Sequence, residues 1–100
     1  MKRGGVVYMM ANKRDGTLYT GVTSDLKKRV REHRDNVFPS SFTAKYKCYK
    51  LVYYQLFDRI EDAIAEEKRL KGGSRLKKKR IIEDKNAQWN DLWTEVEQWD

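Results

Sequence analysis

Three groups of polar side chains fall where packing residues are expected. In residues 60–71, Ile60, Ala63 and Ile64 recur at helical spacing and mark a buried face. Glu67 lies seven residues after Ile60 and three after Ile64, so it shares that face, while its neighbour Glu66 points elsewhere. A carboxylate turned towards a core costs several kcal/mol unless it is paired or holds a metal. The plain structural alternative is that Glu67 swings outward near the helix end and pairs with Lys or Arg. In residues 25–36, Leu26 and Val30 mark an inner face flanked by Arg29 and His33. Lys27, Lys28, Arg31 and Arg34 spread around the solvent side. Arg29 can snorkel, and a lone histidine beside an apolar face is more often structural than functional. Finally, Tyr8 and Tyr19 sit on two strands of a hairpin. Side chains alternate along strands, so an even loop places both phenols on one face unless a bulge intervenes. Gly21, two residues after Tyr19, would leave an open patch on that face.

These residue types are what phosphodiester hydrolysis requires. A carboxylate can hold a divalent metal that polarises the phosphate. A guanidinium forks onto non-bridging oxygens as charge builds. A phenol or imidazole can orient or deprotonate the attacking water. One inner-face acid suggests one ion, because two-metal sites need clustered carboxylates.

The elements that must position these groups read as follows. Residues 5–11 and 17–22 form a hairpin around an Asn12–Gly16 turn, with Asp15-Gly16 its strongest signal. Ser24 or Asp25 caps a helix running to about Asn36. A loop carrying Pro39 follows, then a third strand over 49–57. Asp58 with Glu61 resembles a capping box for a helix to Lys71, which Gly72-Gly73 ends. Ser74 opens a basic helix to about Asp84. Trp89, Leu92, Trp93, Val96 and Trp99 suggest a short amphipathic helix docked by its aromatics. The order ββαβαα with a C-terminal helix is an α+β fold, a three-stranded antiparallel sheet flanked by helices.

At 100 residues the chain is one domain's worth. With 39% hydrophobic and 12% aromatic residues, it is composed like a folded protein rather than a disordered one. Net charge is +7, unevenly spread. Of the 15 acids, six lie in residues 81–100 with one base, Lys85, so the first 80 residues hold 21 bases and nine acids, a balance of +12. Such a field attracts polyphosphate chains or an anionic membrane surface. Residues 68–80 hold eight Lys or Arg. Leu76 with Ile81 or Ile82 is expected to pack there, leaving Arg75, Lys78 and Lys79 as a phosphate-gripping strip or simply a solvated face. Phe38, Phe42 and Tyr46 lie among Lys45 and Lys47, where they could stack on unpaired bases or join the core. Cys48, the only cysteine, favours a reducing compartment. With no membrane-spanning run and no hydrophobic leader core near Met1, the expectation is a soluble cytoplasmic protein.

The chain resembles the GIY-YIG nuclease superfamily, and within it the small stand-alone bacterial members of the URI type. The two tripeptides appear as Val6-Val7-Tyr8 and Tyr19-Thr20-Gly21, the helical arginine motif spans Asp25 to His33, and the glutamate motif spans Ala63 to Gly72. Arg75, Lys77 to Arg80, Ile81-Ile82, and Asn86 with Trp89 and Asp91-Leu92 extend the likeness over nearly the whole chain. Each motif is weakly specific, and their order and spacing are strong. Val6 and Thr20 depart from the family pattern on strands, where such changes should be tolerated. The resemblance implies DNA cleavage with one Mg²⁺ or Mn²⁺ bound by Glu67. It implies that Arg29 stabilises the phosphate, that Tyr8 activates water and that Tyr19 assists. His33 matches a position that is functional in some members. Asn86, or the nearby Asn90, matches a supporting asparagine. Lys27, Lys28, Lys45, Arg75, Lys78 and Lys79 are the candidate nucleic-acid contacts. Family members usually draw target choice from added domains or partners, so a protein partner supplying specificity is expected.

Two functional classes follow. One is a metal-dependent endonuclease, structure-selective or weakly sequence-specific, acting on branched or single-stranded DNA. The other is a catalytically weak binding module. A third reading is an interaction subunit whose tail tryptophans dock a partner.

Overall fold

The computed structural model describes residues 4–99, so Asp100 of the acidic tail lies outside it. Strand β1 (Gly5–Ala11) is buried along its whole length. Its apolar run GVVYMMA suits the centre of a sheet covered on both faces. β2 (Leu18–Thr23) and β3 (Lys50–Phe57) flank it in the order β2-β1-β3, both antiparallel. The β1–β2 register is regular, with Tyr8 opposite Gly21 and Met10 opposite Tyr19. Among the described residues, the register shifts on the β3 side, between Met9 and Met10. In the hairpin turn Asp15, rather than Gly16, takes the left-handed conformation, at φ 58°.

Alternation along β1 builds two cores. Val6, Tyr8 and Met10 pack with Leu26, Val30, Cys48, Leu51, Trp93 and Val96. Val7, Met9 and Ala11 pack with Val52, Ala63, Leu70, Ile82 and Trp89 on the opposite face. Helix α1 (Leu26–Arg34) covers the first face, capped by the Asp25 carboxylate, which accepts from Lys28 N–H. Helices α3 (Ile60–Lys71) and α4 (Arg75–Lys85) cover the second. Between α1 and β3 the expected loop contains one helical turn, α2 (Phe42–Lys45), capped by Ser41.

Several expectations need correction. α1 stops at Arg34 because Asn36 turns left-handed at φ 57°. The Asp58–Glu61 capping box does not form. Arg59 occupies the cap without a side-chain bond, which moves Glu61 one position too early to close the box. Ile64 and Leu76 were expected to pack, yet they are 37% and 55% exposed. The buried face of α3 runs Ala63, Glu67, Leu70, which leaves Ile64 at its margin. The tail is not one amphipathic helix. Among its described residues only α5 (Trp93–Val96) is helical, Trp89 packs on the α3–α4 side and Trp93 on the α1 side. The tail therefore wraps around the β3 edge. There Leu51 accepts from Leu92 N–H at 2.7 Å and donates to Asp91 Oδ1 at 3.1 Å. No helix among the described residues is long and apolar enough to cross a membrane.

Candidate active site

The two phenols share a sheet face as their alternation requires, with ring centroids 6.2 Å apart. The expected open patch at Gly21 is filled. A Cβ there would stand 2.6 Å from Tyr8 Cζ and Oη and 2.9 Å from Tyr19 Cε2. Gly21 is thus the floor on which the Tyr8 ring lies.

α1 delivers His33 and Arg29 to this face. His33 is 4% exposed and its Nε2 is 2.9 Å from the Tyr8 hydroxyl. Its Nδ1 is 2.9 Å from Thr43 Oγ1, and Thr43 lies 3.1 Å from Ser41 Oγ. A chain Tyr8–His33–Thr43–Ser41 results, buried as far as Thr43 and anchored by the cap of α2. Burial, together with the Arg29 charge, pushes the His33 pKa down to about 4, against a smaller opposing pull from Glu32. The imidazole is therefore neutral near pH 7. Burial and the neighbouring Tyr19 raise the Tyr8 phenol, while Arg29 pulls it back. Arg29 is a third exposed, pairs with Glu32 at 3.2 Å and stands over the Phe38 ring at 5.4 Å.

Glu67 comes from the other side of the sheet. Helix α1, which carries Arg29, and α3, which carries Glu67, pack on opposite faces. Glu67 is 9% exposed, and its Oε2 pairs with Lys71 Nζ at 2.7 Å, which raises the Lys71 pKa. Lys71 also feels Tyr19, and a groove of about 260 Å³ joins them across the β2 edge, lined by Leu18, Tyr19, Thr20, Phe42, Lys71 and Lys78. The two halves of the site therefore meet around an edge strand.

One carboxylate suits a single hydrated divalent ion, because Mg²⁺ keeps several waters and takes remaining oxygens from a bound phosphate. Among the described residues no three His, Cys, Asp or Glu side chains cluster as a metal cage. The donor set fits an ion held by Glu67 once Lys71 turns away.

The remaining candidates scatter. Asn86 donates to Val52 O and Asn90 O, both at 2.9 Å, and accepts from Asn90 N–H at 2.9 Å. It ties α4 to β3 and the tail, on the sheet edge away from β2. Asn90 contributes backbone only to that clamp. Lys27 donates to Trp99 O at 2.6 Å, so it anchors the tail rather than standing free. Arg75 donates to Asp15 O and Gly16 O, and Lys79 pairs with Asp15 at 3.3 Å. Both brace the hairpin turn. Lys28 and Lys45 are exposed, and Lys78 lines the groove. Thr43, Ser41 and Lys71 were not anticipated as site residues. Only the hydroxyl-rich stretch after Pro39 hinted at the first two.

Comparison with known proteins bears on the family and the fold. The family model for the GIY-YIG catalytic domain matches residues 4–80. UPF0213 protein SSP2268 of Staphylococcus saprophyticus is 35% identical over 78 residues, 78% of this chain and 93% of that protein. UPF0213 protein BLi00048/BL00536 of Bacillus licheniformis is 31% identical over 91 residues, 91% of this chain and 93% of that protein. The solution NMR structure of UPF0213 protein BH0048 from Bacillus halodurans superposes with a TM-score of 0.56 at 27% identity, covering 89% of this chain and 93% of that one. The ordered motifs, the hairpin that pairs Tyr8 with Gly21 and these matches have one reading: the chain belongs to the GIY-YIG nuclease family, alongside the UPF0213 proteins.

Proposed function

We propose that this protein is a metal-dependent endonuclease that hydrolyses phosphodiester bonds in DNA, with weak sequence preference. The observation that carries the reading is the Tyr8–His33–Thr43 chain, packed against Tyr19 and close to Arg29, with Tyr19 lining a groove that is also lined by Lys71, the ion-pair partner of Glu67. With the His33 Nδ1–H directed at Thr43, Nε2 accepts the Tyr8 proton. As water attacks phosphorus and the P–O bond to the leaving sugar oxygen breaks, the water's proton passes to Tyr8 oxygen while the phenol's own proton moves to His33. The leaving oxygen takes a proton from solvent. Burial, and after it the Arg29 charge, disfavours the imidazolium. A phosphate bound to Arg29 would offset only the second cause, the Arg29 charge. Tyr19 fixes the Tyr8 ring from the side. A Mg²⁺ or Mn²⁺ ion on Glu67 would supply charge neutralisation at the phosphate. Asn86 holds the scaffold, and Lys28, Lys45 and Lys78 are the cations best placed to meet DNA.

Residues 1–100 are read as one nuclease-like unit acting in the cytoplasm, with any stricter target choice coming from a protein partner. The second reading, a weak or inactive binding module, draws on one observation: Lys71 already occupies the lone carboxylate.

Purified protein given supercoiled, single-stranded, branched and flapped DNA with Mg²⁺ or Mn²⁺ tests this. Cutting is expected, and Glu67→Ala should abolish it. Cutting that survives Glu67→Ala would falsify the site. Salt-sensitive binding with no cutting of any substrate would favour the module.

A further inference from the structure

The segment between α1 and β3 exposes aromatic rings that the proposed hydrolysis does not use. Phe38, Phe42 and Tyr46 are 46%, 43% and 41% exposed. Phe42 opens α2 and Tyr46 caps its C-terminus four residues on, so they share a face, with ring centroids 4.6 Å apart. Thr43, between them, points inward to His33. The helical turn that displays the rings is therefore pinned to the candidate relay. Phe42 continues to Tyr19 at 6.0 Å and lines the groove with Lys71 and Lys78. Cations interleave with the rings. Arg29 stands over Phe38 and Lys45 over Tyr46, each at 5.4 Å.

We infer that Phe42 and Tyr46, extended by Phe38, form a stacking platform for unpaired bases of a single strand whose phosphates pass Arg29, Lys71 and Lys78. Rings alternating with cations provide π-faces for bases and charge for the backbone. In a duplex the base faces are covered by their neighbours, so the platform engages unpaired nucleotides. This selects single-stranded or flapped substrates at the site. It rests on the nuclease reading for its purpose, but the binding is measured without cutting.

The test uses the full chain in EDTA with a labelled single strand of about 12 nucleotides, a length within the usual range of single-strand sites, and with its blunt duplex. Fluorescence anisotropy should show tighter binding to the single strand. Phe42→Leu combined with Tyr46→Leu keeps apolar bulk but removes the π-faces. It should weaken single-strand binding roughly tenfold or more and leave duplex affinity nearly unchanged. Tyr46→Ala alone, at an exposed ring, covers the case in which the double variant does not fold, and should lower single-strand affinity several-fold. Unchanged single-strand binding, as expected of a patch built for a protein, overturns the inference. So does an equal loss for both nucleic acids. Selective binding by a protein that cuts nothing with Mg²⁺ or Mn²⁺ supports the platform and removes the nuclease reading. Cutting whose strand preference ignores the leucine variant does the reverse.

Discussion

Replacing Gly21 with alanine adds one methyl group beneath the Tyr8 ring. The new Cβ would lie 2.6 Å from Tyr8 Cζ and Oη and 2.9 Å from Tyr19 Cε2. Carbon atoms in contact prefer about 3.5–4.0 Å, so the phenol must shift by about 1 Å. Gly21 does not occupy a left-handed conformation, so the backbone itself accepts alanine. Tyr8 is 1% exposed and can move only against the core of Val6, Met10 and Val30. Such overpacking costs about 1–3 kcal/mol, offset by about 0.5–1 kcal/mol for replacing glycine in a strand. The larger effect is on geometry. A shift of about 1 Å can take the 2.9 Å Tyr8–His33 contact beyond hydrogen-bonding range. Misplacement of that size lowers rate by roughly a hundredfold. Single-turnover cutting of single-stranded DNA, below the melting temperature and corrected for folded fraction by urea titration, measures both terms. Gly21→Ala cutting within about threefold of the parent would refute the reasoning, since the phenol would then not need its place on Gly21.

Three other outcomes are expected. His33 has a folded pKa of about 4 against 6.5 for the free side chain, so the unfolded chain binds more protons in that window. Its contribution is fully present above about pH 6.5 and lost as pH falls towards 4. Urea unfolding should show a drop of up to about 3 kcal/mol from this group, and His33→Gln should flatten the slope. Asn86→Ala leaves buried backbone groups of Val52 and Asn90 short of partners. It should cost about 2–3 kcal/mol in urea unfolding with cutting per folded molecule unchanged, whereas a catalytic role would lower that rate. Lys71→Met frees Glu67 from its 2.7 Å ion pair. Mn²⁺ affinity, read by electron paramagnetic resonance, should rise roughly fivefold, the worth of about 1 kcal/mol. No change would mean that the ion does not compete with Lys71.

Local pattern carried the strands, the Asp25 and Ser74 caps and the pairing of Tyr8 with Tyr19, because each depends on neighbours a few residues apart. Ser41 with Thr43 went unread because one helical turn gives too short a period to stand out from a loop. The tail misled for a related reason. Trp89, Trp93 and Val96 keep helical spacing, yet Trp89 turns left-handed at φ 57° and the chain crosses from one core to the other. Glu67 shows a deeper limit. Spacing said that it faces inward, and it does. Spacing cannot say which side of a sheet a helix covers. The handedness rule that assigns sides governs parallel crossovers, and every pairing in this sheet is antiparallel.

That ambiguity explains where the site has to be. Arg29 and His33 approach on one face of the sheet and Glu67 on the other, so a single phosphate can reach both sets only around an edge. The β3 edge is closed by the tail through Leu51, Leu92 and Asp91, with Asn86 fixing the wrap. The β2 edge carries the groove, with Tyr19 on one side and Lys71 on the other. The C-terminal segment thus contributes to the proposed chemistry without touching it, by leaving β2 as the edge at which the two half-sites can share a substrate.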